Sequence, residues 1–353
     1  MTEPHRRGVL ARWAEVLPLT PQTPRITLGE GETPLVRSVA IERELGLDEL
    51  WFKLESSNPT GSFKDRGMVV AVAKAIERGS KAVLCASTGN TSASAAAYAA
   101  HCGIEASILV PEGRVAAGKL AQAVAFGARI VEVEGSFDDA LRLALEVVET
   151  QPIALVNSVN PDRIEGQKTA AYEICETLTD APDALAIPVG NAGNITAYWK
   201  GFVECAALDY ASLHPRMLGF QAAGAAPIVQ GAPVENPQTV ATAIRIGKPA
   251  SWKTAEQARD ESGGLIEAVT DEEILDAYRL LASKEGLFVE PASAASVAGL
   301  RKLNRAGALQ GGRIVAVLTG SGLKDPETAK EHNAIDVVRA PATLEGVQRA
   351  LGV

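Results

Sequence analysis

The sequence predicts an α/β protein of two three-layer α/β domains, each built on a mostly parallel sheet, with a cleft between them. Three observations carry this. Short apolar runs alternate with helical patterns along almost all of the 353 residues, the cadence of βαβ units with right-handed crossovers. Hydrophobic residues make up 46% of the chain but aromatic residues only 5%, so the apolar content is mostly Ala, Val, Leu and Ile, as strands buried on both faces require. At 353 residues the chain also exceeds what one ordinary core accommodates.

The elements follow in order. A strand is predicted over 50–54, followed by a polar loop over 55–62. The helix predicted over 65–78 starts behind Ser62, a suitable N-cap. An apolar strand over 81–86 leads to an Ala-rich helix over 91–101, ended by Gly103. A strand over 106–110 is closed by Pro111, and a helix over 116–126 and a strand over 129–133 come next. An amphipathic helix over 137–148 opens at Ser136, with Asp139 three residues on. After a strand over 153–156 and Pro161, the pattern resumes with a helix over 163–178, a strand over 185–189 and a helix over 195–206. Strands over 217–221 and 314–318 and a helix over 271–285 complete it. Between 222 and 264 Gly, Pro and polar residues are frequent, which predicts loops and short helices, some beside a ligand.

A net charge of −9 repels a phosphate backbone, so no nucleic-acid partner is expected, although a local basic pocket for a small anion is compatible with it. Cys85, Cys102, Cys175 and Cys205 form no Cys-x-x-Cys pair and read as reduced structural thiols. The four histidines lack zinc-type spacing, so no metal is expected. The N-terminus lacks the charged-then-apolar order of a signal peptide. No run reaches the ~18 apolar residues that cross a bilayer. A cytoplasmic protein without a membrane partner is the expectation.

Four loops rich in Gly, Ser, Thr and Asn follow strand ends, where open parallel sheets place ligands. In Ser57-Asn58-Pro59-Thr60-Gly61-Ser62-Phe63-Lys64-Asp65-Arg66-Gly67, turn residues lead into a helix whose first turn holds Lys64. The macrodipole disfavours a cation there and helps Lys64 act as a neutral amine nucleophile. Ser87-Thr88-Gly89-Asn90-Thr91-Ser92 sets hydroxyls and amides at a helix N-terminus, an anion site suited to a carboxylate. In Gly190-Asn191-Ala192-Gly193-Asn194 small residues let backbone amides approach a phosphate, and the string departs from the Gly-x-Gly-x-x-Gly dinucleotide fingerprint. The fourth loop is Thr319-Gly320-Ser321-Gly322-Leu323-Lys324-Asp325. Taken singly, the last three strings are common helix caps and turns, and Lys64 could be a solvated lysine.

Together these strings resemble the serine/threonine dehydratase and threonine synthase group, fold-type-II pyridoxal-phosphate enzymes related to the tryptophan synthase β chain. The resemblance runs from Gly29-Glu30-Gly31-Glu32-Thr33-Pro34-Leu35 to Thr319-Gly320-Ser321-Gly322. It implies that pyridoxal 5′-phosphate is the cofactor and that Lys64 is its Schiff-base lysine, with Phe63 alongside. It implies that Gly190, Asn191, Ala192, Gly193 and Asn194 hold the cofactor phosphate, Asn90 its 3′-oxygen and Thr319 its ring nitrogen. Ser87, Thr88, Asn90 and Thr91 would hold a substrate carboxylate. Asn157 and Arg163, and less so Lys119, are candidates for a substrate phosphate, since Arg suits bidentate binding. The implied domains are 1–55 plus 160–353, the large cofactor-binding one, and 56–159, the small one.

The asparagines of the phosphate loop point within the group to threonine synthase, acting on O-phosphohomoserine as a homodimer. Given the short stretch after the last loop, no fused regulatory domain is expected. The rival within the fold is a threonine or serine dehydratase, and a rival of another class is a nicotinamide-dependent oxidoreductase.

Overall fold

A computed structural model describes residues 8–113, 117–135, 137–332 and 337–353. Among the described residues ten strands form two sheets. The larger has the order β1 (Leu35–Arg37), β2 (Glu49–Leu54), β10 (Arg313–Leu318), β7 (Ala184–Pro188), β8 (Arg216–Ala222), β9 (Leu265–Val269). The smaller has the order β5 (Arg129–Val133), β4 (Glu105–Pro111), β3 (Ala82–Ala86), β6 (Ile153–Leu155). Every pairing is parallel except β1 with β2. The central strand β7 is buried at each position, which explains its unbroken apolar run.

One hydrophobic core runs from the smaller sheet (Val83, Ile108) through the helices Lys64–Glu77 (Met68, Val72) and Pro161–Leu178 (Ile174) to the larger sheet (Leu185, Val315). A second core covers the other face of the larger sheet, and a third the other face of the smaller. Where the two central helices cross, a Cβ on Gly166 would stand 1.9 Å from the Arg66 carbonyl oxygen, and one on Gly67 2.5 Å from that of Arg163. Only glycines permit this backbone-to-backbone approach, and it brings Arg163 against the start of the Lys64 helix.

The structure corrects several expectations. Phe63, not Ser62, is the N-cap of the helix Lys64–Glu77, although Ser62 Oγ accepts the Lys64 N–H at 3.4 Å. Pro161–Leu178 starts two residues early because Asn160 caps it, accepting the Asp162 N–H at 2.9 Å. Arg163 therefore lies inside the first turn. Strands β1 and β9 and the helix Pro291–Arg305 were not expected. That helix is buried from Pro291 to Leu300, and Pro291 at N1 marks its start in the sequence. Ser136 and the Lys119 side chain lie outside the described residues. All four cysteines are free. Among the described residues no helix is long and apolar enough to cross a membrane.

Candidate active site

Lys64 opens its helix at the junction of two loops. Phe63 N–H donates to Thr319 O at 3.0 Å, and Ser321 N–H to Gly61 O at 2.9 Å, so the lysine loop is stitched to the loop after β10. The ammonium nitrogen lies 3.9 Å from the centre of the Phe63 ring. Burial first, and then the charge of Arg163, lower the Lys64 amine to about 7, against the pull of Glu290. The helix dipole acts in the same direction, but desolvation leads.

Arg163 is fully buried. Nη1 donates to Val156 O at 3.2 Å, while Nε and Nη2 have no partner among the described residues. Burial lowers this guanidinium to about 10. A buried, half-paired cation is costly unless an anion completes it.

The phosphate-type loop sits between β7 and the helix Gly193–Ala207. Ala192 occupies the left-handed region, φ 65°, as that helix's N-cap. Holding a non-glycine there costs on the order of 1–3 kcal/mol, a strain typical of ligand clamps. A Cβ on Gly190 would stand 2.9 Å from Ile244 Cα, so the loop is pressed against its neighbours. The amides of the helix's first turn lack intrahelical partners. Both amide atoms of buried Asn194 also lack partners among the described residues. The Asn191 side chain donates one N–H to Ser158 Oγ and accepts from Ala250 N–H, and its carbonyl accepts the Ser251 N–H.

Ser87, Thr88, Asn90 and Thr91 surround the start of the helix Asn90–Cys102 and are all partly exposed. Asn157, expected to touch substrate, spends its amide on Ala86: Oδ1 accepts the Ala86 N–H and Nδ2 donates to its carbonyl, each at 2.9 Å. It shapes the end of β3. Thr319 Oγ1 lies 3.0 Å from Ser293 Oγ, which also accepts the Gly320 N–H at 2.9 Å. Ser293 and Glu290 escaped the sequence reading, although Pro291 between them marks a helix start.

Beneath the lysine loop lies a buried ionic cluster that sequence patterns also missed. Arg66 donates to Glu55 at 2.7 and 2.8 Å and to Glu173 at 2.6 Å through each Nη, while Lys53 donates to Glu173 at 2.7 Å. Burial alone would raise Glu173, but Arg66 and Lys53 hold it far below the usual carboxylate range. Asn58 ties the cluster to the loop, its Nδ2 donating to Glu55 Oε2 at 3.1 Å. Asp65 in turn accepts from Thr60 N–H and Ser94 Oγ, at 2.7 and 2.6 Å.

These residues fit pyridoxal phosphate. A buried lysine of lowered pKa, a strained phosphate-type loop with unpartnered Asn194, and a hydroxyl at Thr319 converge from the ends of β2, β7 and β10. The profile of a family described as "Pyridoxal-phosphate dependent enzyme" matches residues 26–320. The threonine synthase of Bacillus sp. (strain ULM1) is 57% identical over 343 residues, 97% of each chain. That of Mycobacterium tuberculosis (strain ATCC 25618 / H37Rv) is 56% identical over 324 residues, 91% of this chain and 90% of its own. Among solved structures, maize serine racemase superimposes with a TM-score of 0.74 at 23% identity, over 85% of this chain and 91% of that one. The processed form of threonine deaminase isoform 2 from Solanum lycopersicum gives 0.73 at 23% identity, over 86% and 82%. Both show the fold. The chain belongs to the pyridoxal-phosphate dependent enzymes and, within them, to the threonine synthases.

Proposed function

We propose that this threonine synthase converts O-phosphohomoserine and water to threonine and inorganic phosphate, as a cytoplasmic homodimer. The observation that carries the substrate assignment is Arg163, a buried guanidinium near Lys64 with two unpartnered nitrogens. A dehydratase substrate has no phosphate to place there.

Pyridoxal phosphate, when bound, supplies an electron sink for charge developing at the substrate's α carbon. The protein does the rest. Gly190, Asn191, Ala192, Gly193 and Asn194 hold the cofactor phosphate at a helix N-terminus. Phe63 lines the site, and Thr319 and Asn90 meet the ring nitrogen and ring oxygen. A neutral hydroxyl at Thr319 moderates the sink, where a carboxylate would strengthen it. Ser87, Thr88, Asn90 and Thr91 fix the substrate carboxylate. Lys64, with its amine lowered to about 7, can take a proton at the α and β carbons and give one back at neutral pH. Arg163 binds the phosphoryl group and offsets the charge that grows as the bond from the γ carbon to oxygen breaks. Water then adds at the β carbon. Asn157 supports this by fixing β3. We assign 1–55 plus 160–353 and 56–159 as the two domains, one around each sheet.

The test is to supply O-phosphohomoserine and measure phosphate and amino-acid product together. Equimolar phosphate and threonine are expected. Efficient dehydration of threonine or serine with no turnover of the phosphoester would make the chain a dehydratase instead.

A further inference from the structure

Glu290 lies outside every sequence string that marks the site, yet it joins two of them. It precedes the helix Pro291–Arg305 as N-cap, with its own side chain uninvolved in capping. Its N–H donates to Gly320 O at 3.0 Å, beside Thr319. A Cβ on Gly320 would stand 2.5 Å from Glu290 Oε1, so the carboxyl packs directly on that loop and explains the glycine. From the other side, Asn90 Nδ2 lies 3.1 Å from each Glu290 oxygen. The carboxyl thus bridges the loop after β10, in the larger sheet, to the loop after β3, in the smaller.

The charged groups that face it are Lys64 from the Lys64 helix and Lys324 and Asp325 from the turn after the loop. Burial raises its pKa, while Asn90, Lys324 and Lys64 pull it back towards the carboxylate. A carboxylate only accepts hydrogen bonds, whereas a primary amide has two donors at one end and an acceptor at the other. The carboxylate therefore selects one of the two amide orientations of Asn90. The nitrogen end faces Glu290, 3.1 Å from both of its oxygens, a geometry that one N–H can serve while the second turns to another acceptor. In the flipped orientation Asn90 Oδ1 would face the carboxylate, two acceptors with no proton between them.

We propose that Glu290 is a positioning residue: it fixes the amide of Asn90 so that a donor, and not an acceptor, faces the ring oxygen of the cofactor. The inference rests on the placement of Asn90 at that oxygen given above. Glutamine at 290 can donate as well as accept, so it no longer selects the orientation.

The experiment compares the holoenzymes of Glu290→Gln, Asn90→Ala and the double variant with the unaltered protein. The readouts are the absorbance band of the bound cofactor, its pH titration, cofactor retention on dialysis, and the melting temperature. Glu290→Gln is expected to melt like the unaltered protein but to retain cofactor about three- to tenfold less well, the scale of one hydrogen bond. Its absorbance should shift in the direction that Asn90→Ala produces. The double variant should match Asn90→Ala alone, because two residues that act through one contact are not additive. If Asn90→Ala shifts the band while Glu290→Gln leaves it in place, or if the two shifts add, the positioning role is overturned and Asn90 keeps its place. If Asn90→Ala changes neither band nor retention, Asn90 is not at the ring, and both readings fall. Should Glu290→Gln not fold, Glu290→Asp, which withdraws the oxygens by one methylene, is judged by the same outcomes.

Discussion

At the scale of single residues, Lys64 and the phosphate-type loop were legible because their strings combine turn chemistry, a helix start and a reactive side chain within a few positions. Glu290 and Ser293 were not, since their value comes from contacts with Asn90 and Thr319 that only the folded chain creates. Lys64→Ala should abolish both turnover and the absorbance of lysine-bound cofactor, and intact turnover would remove Lys64 from its role. The lowered amine also sets a pH dependence. Below about 7 Lys64 is mostly protonated and cannot attack, so capture of cofactor by the apoenzyme should rise as pH passes upward through about 7. Stopped-flow absorbance measures it, and a flat profile from pH 6 to 8 would contradict it. The same shift costs stability. The folded pKa lies below the ordinary 10.5, so the penalty is complete below about 7 and fades as pH rises towards the unfolded value. Arg163→Ala should remove a charge-assisted contact of about 1.5–3 kcal/mol. Activity on O-phosphohomoserine would then fall roughly ten- to a hundredfold. Any side dehydration of threonine, which has no phosphate, should fall much less. Equal losses on both substrates would make Arg163 a structural residue.

At the scale of elements, amphipathic and strand periods exposed most helices and central strands, including largely buried ones such as β7 and Lys64–Glu77. Pro291–Arg305 was missed although Pro291 marks its start and Lys302 and Arg305 its last turn. Gly166 illustrates the reverse: a glycine inside a helix reads as a weakness of about 1 kcal/mol relative to alanine, yet here it is required. A Cβ 1.9 Å from the Arg66 carbonyl would force the two central helices apart. Overpacking of that kind costs roughly 1–3 kcal/mol or more, and the backbone cannot rotate away as a side chain does. The packing loss outweighs the gain in propensity, so Gly166→Ala should be destabilised by about 2 kcal/mol or more in urea titrations. An unchanged or raised midpoint would show that the crossing is looser than described. Gly193→Asp should put a carboxylate beside a bound phosphate and abolish cofactor retention in dialysis. Near-normal affinity in a folded variant would move the phosphate to another loop.

For the whole molecule, the sequence announced two α/β units but could not show that they share a core. Residues from β3 and β4, from both central helices and from β7 and β10 belong to one continuous cluster. The Arg66 cluster adds to this, because Glu173 reaches from one central helix to Arg66 on the other and to Lys53 on β2. Breaking one partner of such a buried pair costs about 3–5 kcal/mol, so neither sheet can lose its helices cheaply while the other stands. A chain of 353 residues commonly unfolds in stages, but this arrangement predicts that both sheets come apart together. The tryptophans allow a clean test. Trp13, Trp51, Trp199 and Trp252 all lie outside the segment that builds the smaller sheet, so their fluorescence reports the larger unit. Far-ultraviolet circular dichroism reports both units, and cofactor absorbance reports the site between them. In a urea titration of the holoenzyme the three signals should give one midpoint. A circular-dichroism transition that precedes the fluorescence change would mean that the smaller sheet opens by itself, and the shared core would then count for less than the buried contacts suggest.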